Sequence, residues 1–95
     1  MECARTYFSA HAVQRMFERS IRKPEVMNVI ANGRIIQAYP EDTPYPSLLL
    51  LGWRSGIPLH VVVGVDHDVK TCHIITVYVP DVEQWNDDYQ TRRIR

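Results

Sequence analysis

The clearest pattern in the chain lies between Leu59 and Asp81, where two apolar runs, LHVVVGV and HIITVYV, flank a polar DHDVK segment at 66–70. Valine- and isoleucine-rich runs on either side of a short polar turn predict a β-hairpin. Side chains alternate across a strand, so Leu59, Val61, Val63 and Val65 share one face and His60, Val62 and Gly64 the other. In the second run Ile75, Val77 and Val79 oppose Thr76 and Tyr78. The pattern predicts an apolar face buried under helices and an uncovered face carrying His60, Thr76 and Tyr78.

Ahead of the hairpin the period changes. Ser9 is a good N-cap, and Ala10 to Ser20 reads as a helix with Ala10, Val13, Met16, Phe17 and Ile21 on one apolar stripe. A second helix runs from Pro24 to Gly33, with Val26, Val29 and Ile30 as its apolar face. Thr6 to Phe8 is either a short strand or the lead-in to the first helix. Arg34 to Tyr39 reads as a strand, and the proline-rich segment 40–46 as a loop. Ser47 to Trp53 is a further strand, apolar on both faces over Leu48 to Leu51, and Arg54-Ser55-Gly56 is a turn. After Pro80, Asp81 is expected to cap a last helix with Val82, Trp85 and Tyr89 on one side. The expected fold is α+β: two N-terminal helices, a four-stranded antiparallel sheet and a C-terminal helix, in one domain over residues 1–95.

Composition changes this picture little. No stretch approaches the roughly 20 apolar residues of a membrane span. The first residues, MECARTYFSAHAV, lack the apolar core of a signal peptide, so the expected compartment is the cytoplasm. There Cys3 and Cys72 are expected to be free thiols. The net charge is zero, which argues against binding of nucleic acid by bulk electrostatics. The charge is unevenly spread: six basic against three acidic residues to Arg34, then two against eight to Thr91, then Arg92, Arg93 and Arg95.

Three constellations could carry chemistry. His11, Arg15 and Arg19 follow one another at four-residue spacing on the first helix, beside the apolar stripe. Forked guanidinium donors suit phosphate oxygens, and an imidazole moves protons near neutral pH; the plainer alternative is a solvated helix face. His60, Thr76 and Tyr78 form the second group, with a general acid or base and a hydroxyl donor on one sheet face. Here the alternative is a hydrogen-bonded His60 under covering loops. Asp66, His67, Asp68 and His73 could take up a divalent ion, but their spacing matches no zinc or calcium motif and polar hairpin turns are commonplace. The tail residues Arg92 and Arg93 could contact phosphates.

Taken in order, HAVQRMFERSI, ANGRIIQAYPED, LHVVVGVD and TVYVPDVEQW resemble a family of small prokaryotic proteins catalogued as a domain of unknown function. That family has the patterns H-A-x-x-R-M-x-x-R and T-x-Y-x-P-D-x-x-x-W. It is grouped with RelE- and MqsR-like toxins, and its members are often encoded beside a YgiT-type zinc-finger antitoxin. The resemblance implies a type II toxin, a metal-independent endoribonuclease without cofactor, cleaving RNA by 2′-hydroxyl attack and silenced by a cognate antitoxin. On that reading His11, Arg15, His60 and Tyr78 are catalytic, and Arg19, Thr76, Arg92 and Arg93 hold the substrate. Two further readings remain: a noncatalytic module recognising a protein or nucleic acid, and a homodimer formed through the edge of the Ser47–Trp53 strand.

Overall fold

The structure is a computed structural model that describes residues 1–94; Arg95, counted above in the basic tail, lies outside the described residues. The hairpin forms as β4 (Ile57–Asp66) and β5 (Thr71–Tyr78), antiparallel, with His60 opposite Tyr78 and Val62 opposite Thr76. In its turn the Asp66 carboxylate accepts the Asp68 N–H at 3.1 Å, and Lys70 takes a φ of 55°. Alternation breaks once. The register shifts between Val62 and Val63, which leaves Ile75 as an extra residue in β5, a bulge. Cys72, Ile74 and Val77 consequently all enter the core, while Ile75 is 41% exposed and its side chain lies against Gly64 on the other face. Strict alternation, which groups Ile75 with Val77, fails for this reason.

β3 (Ser47–Arg54) pairs with β4 and β2 (Arg34–Tyr39) with β3, both antiparallel. The far edge is a strand that the sequence left undecided: β1 (Arg5–Phe8) lies parallel to β5, with Arg5 opposite Thr71 and Phe8 opposite Ile74. The sheet is therefore five-stranded and mixed, in the order β1-β5-β4-β3-β2, which corrects the expected four antiparallel strands. A four-residue strand carries too little pattern of its own; pairing with a distant β5 makes it one. The same register brings Cys3, just ahead of β1, against Cys72 in β5, and the two form a disulfide rather than the expected free thiols. Because β3 lies between β2 and β4, it offers no edge for a dimer, contrary to the expectation for Ser47–Trp53.

Both helices cover one face of the sheet. Ser9 caps α1 (Ala10–Glu18), its hydroxyl accepting the Ala12 N–H at 3.0 Å. In α2 (Lys23–Asn32), Glu25 reaches back to the Arg22 N–H at 2.7 Å, and Val26, Val29 and Ile30 are buried as the periodicity predicts. α1 is turned from its expected orientation: Ala12 and Met16 face the core, whereas Val13 and Phe17 are 53% and 87% exposed. Leu59, Val61, Val63 and Val65 meet these helices in one core.

The expected C-terminal helix is absent; after one turn the chain folds back on itself. Asp81 does cap that turn, its carboxylate accepting the Glu83 N–H and its carbonyl the Gln84 and Trp85 N–H groups. The Asp88 carboxylate then takes the N–H groups of Gln90 and Thr91, and Tyr89 adopts a φ of 58°. Such local side-chain acceptors compete with helical hydrogen bonds. The return brings Arg92 alongside Trp85 in a single β-bridge. No helix among the described residues is long and apolar enough to cross a membrane.

Candidate functional site

His60 sits on the sheet face away from the helices, as alternation predicts, but it is 0% exposed. The 81–94 segment covers it. Trp85 meets the imidazole edge-on at 4.6 Å between centroids, and the Tyr89 carbonyl lies 2.7 Å from Nε2. A carbonyl can only accept, so Nε2 carries the proton of the neutral ring and Nδ1 is left as an acceptor. Nδ1 lies 3.2 Å from the Tyr78 hydroxyl, which therefore donates to it. Both polar edges of the ring are matched, which is what burial of an imidazole requires.

Electrostatics keep the pair neutral. Burial lowers the His60 pKa from 6.5, and the Arg92 guanidinium lowers it further against the raising effect of the Tyr89 carbonyl. Burial raises the Tyr78 pKa, with Arg92 opposing and Tyr39 adding to the rise. Arg92 owes its position to its own segment: its guanidinium lies 5.0 Å over the Trp85 ring and donates to Gln84 at 3.4 Å.

The second predicted group meets the first along β5. β1 ends opposite Ile74, so the N-terminal end of α1 sits at the edge of β5 beyond it. The Ser9 hydroxyl donates to the Ile75 carbonyl at 3.0 Å, and His11 Nε2 lies 3.1 Å from the Thr76 hydroxyl. Thr76 and Tyr78 thus each pair with a histidine, His11 exposed and His60 buried. Residues two apart on a strand are separated by about 7 Å.

The remaining predicted residues are less concentrated. Arg15 forms an exposed ion pair with Glu18 at 3.7 Å, and Arg19 is the exposed C-cap of α1. Arg93 is held by its own segment, donating to the Val82 carbonyl at 2.7 Å and facing Asp87 at 3.4 Å. Asp66 serves its turn, and His73 stacks between aromatic rings; among the described residues no group of three His, Cys, Asp or Glu side chains is placed to hold a metal ion. Sequence reasoning missed Ser9, Tyr39 and the covering Trp85 as neighbours of the site. Only Trp85 had a signal, its place in the TVYVPDVEQW stretch.

The family described as Domain of unknown function (DUF4258) matches residues 8–79, a span that includes His11, His60, Thr76 and Tyr78. No curated protein and no solved structure matches the chain.

Proposed function

The chain belongs to the DUF4258 family, and we propose that it is a toxin-type endoribonuclease that cleaves RNA through 2′-hydroxyl attack and is silenced by an antitoxin of the zinc-finger kind. The observation that carries this reading is the pair of hydroxyl residues on β5, Thr76 and Tyr78, each hydrogen-bonded to a histidine. Arg92 lies close enough to bias the titration of Tyr78. The resemblance of the HAVQRMFERSI and TVYVPDVEQW stretches to toxin-associated proteins supplies the substrate class.

In this mechanism the two histidines have different tasks. In the tautomer that donates Nε2–H to the Thr76 hydroxyl, His11 Nδ1 holds the lone pair that takes the 2′-hydroxyl proton. The 2′-oxygen bonds to the adjacent phosphorus as the bond to the 5′-oxygen breaks, and the Tyr78 O–H turns from His60 Nδ1 to give its proton to that leaving oxygen. The products are a cyclic phosphate and a 5′-hydroxyl, and solvent returns the protons to their starting places. Tyr78 is protonated at neutral pH, as the acid must be; burial raises its pKa and so weakens it as a donor, and the Arg92 guanidinium opposes that rise. His60 does not touch substrate; it is a positioning residue that orients Tyr78. Arg92 and Arg15 stabilise charge building on the phosphorane, with Arg19 and Thr76 holding the flanking backbone.

Induced expression tests the proposal in living cells. Wild type should arrest growth, while His11→Ala and Tyr78→Phe should be tolerated; equal, harmless growth of all three would sink it. The burial of His60, with both ring nitrogens engaged, favours a second reading in which the same face binds without cleaving. Purified protein that retains RNA but leaves it intact would select that reading.

A further inference from the structure

Beside the hydroxyl pairs, the outer face of the sheet holds a cavity of about 160 Å³, bounded by the 42–45 turn, Gly64, His73 and Ile75. A ladder of flat rings adjoins it. Tyr45 stacks on His73 with centroids 4.8 Å apart and planes inclined by 12°. Tyr7 stacks on the same imidazole at 5.7 Å and 24°. Tyr7 faces His73 across the β1–β5 pair and is 51% exposed, so the ladder runs out to the sheet edge. Glycine makes the floor: in β4, position 64 lies between Ser47 of β3 and His73 of β5 and carries no side chain. Asp42 at the rim is held by a hydrogen bond from the buried Ser47 hydroxyl and has a second carboxylate oxygen to offer.

We propose that this cavity is a subsite for one unpaired nucleobase of RNA, an inference that rests on the RNA-cleaving reading of the same face. Size argues for a single ring system, since a protein cavity of about 150 Å³ takes up one benzene. Flat walls select a flat occupant, and bases stack on aromatic side chains whatever their sequence. The Asp42 carboxylate accepts from a ring N–H or an exocyclic amine and so prefers bases that present one. Position sets which base is bound. Ile75 of the cavity and Tyr78 of the site are three residues apart on β5, about 10 Å, so the base belongs to a nucleotide adjoining the cleaved phosphate.

The test separates the subsite from the cleavage reaction. A methyl group at position 64 meets its nearest neighbours, Ile75 Cδ1, the His73 carbonyl and the Pro46 carbonyl, at 3.5, 3.9 and 3.9 Å, so Gly64→Ala narrows the cavity without a clash. With a short single-stranded RNA, Tyr45→Ala should raise KM about tenfold, the worth of one base stack. Gly64→Ala should raise KM in the same direction, Tyr45→Phe should match wild type, and kcat should stay within about twofold in all three. Active enzyme with KM unmoved in both Tyr45→Ala and Gly64→Ala overturns the subsite. If wild type cleaves no RNA, the cleavage reading fails, and the subsite is judged by NMR titration with the four nucleoside 5′-monophosphates. Amide shifts at Gly64 and His73 that weaken in Tyr45→Ala uphold it; their absence with all four overturns it.

Discussion

The Tyr78 hydroxyl lies 3.2 Å from His60 Nδ1 across the β4–β5 pair, and it donates that hydrogen bond because the Tyr89 carbonyl claims the other ring nitrogen. A buried imidazole in this state stabilises the fold only while neutral. The folded-state pKa is lowered from 6.5, chiefly by burial. The unfolded chain therefore binds the proton first on acidification: the His60 contribution is complete above pH 6.5 and is lost as pH falls towards the folded value. The loss is at most about 1.4 kcal/mol per pH unit. Urea unfolding at pH 7.5 and 5.5 should show wild type weakening and His60→Asn weakening less. In Trp85→Ala, which admits water to the ring, the His60 titration followed by NMR should move up towards the ordinary value.

Tyr78→Phe should cost about 1–2 kcal/mol, because it leaves Nδ1 buried without a donor. His11→Ala should cost no more than about 0.5 kcal/mol, since His11 is exposed. Urea midpoints at pH 7.5 check both. If the proposed mechanism holds, His11→Ala nonetheless lowers RNA cleavage by about a hundredfold or more. Loss of activity at unchanged stability is the signature of a group that acts on substrate.

The Cys3–Cys72 disulfide joins residues 69 apart in sequence and holds β1 beside β5. Cross-links of this kind are worth about 2–4 kcal/mol. Cys3→Ser, or wild type in dithiothreitol, should unfold at correspondingly lower urea. Thiol titration of the native protein should find neither cysteine free; two reactive thiols would contradict the pairing.

Two glycines of the sheet should respond differently to the same substitution. A Cβ at Gly52 would stand 2.6 Å from Val29 Cγ2 and 3.0 Å from its Cβ, so a stiff valine on α2 has to move. Gly52→Ala should destabilise by about 1–3 kcal/mol. Gly64→Ala, whose new methyl makes only ordinary contacts, should leave the urea midpoint within experimental error.

Much of this arrangement is legible in the chain because it is local. The hairpin, the second helix, the Ser9 cap and the placement of His60 and Tyr78 away from the helices follow from patterns a few residues long. What was not legible depends on partners far away. β1 has four residues and becomes a strand by pairing with β5, the same pairing that joins the cysteines. Val13 and Phe17 share the apolar spacing of Met16, but a nine-residue helix buries only the stripe that faces β5. The C-terminal residues have helical spacing at Val82, Trp85 and Tyr89, yet Asp88 captures the N–H groups that a helix needs and turns the chain back. That return covers His60 and makes it a partner of Tyr78 rather than a group open to substrate.

Cleavage chemistry is tested most directly by incubating the purified protein with single-stranded RNA in EDTA and identifying the new ends. Fragments ending in 2′,3′-cyclic phosphate and beginning with 5′-hydroxyl, formed by wild type and reduced about a hundredfold or more in His11→Ala and Tyr78→Phe, are the predicted result. RNA left intact by wild type, or cut equally well by all three proteins, would contradict it.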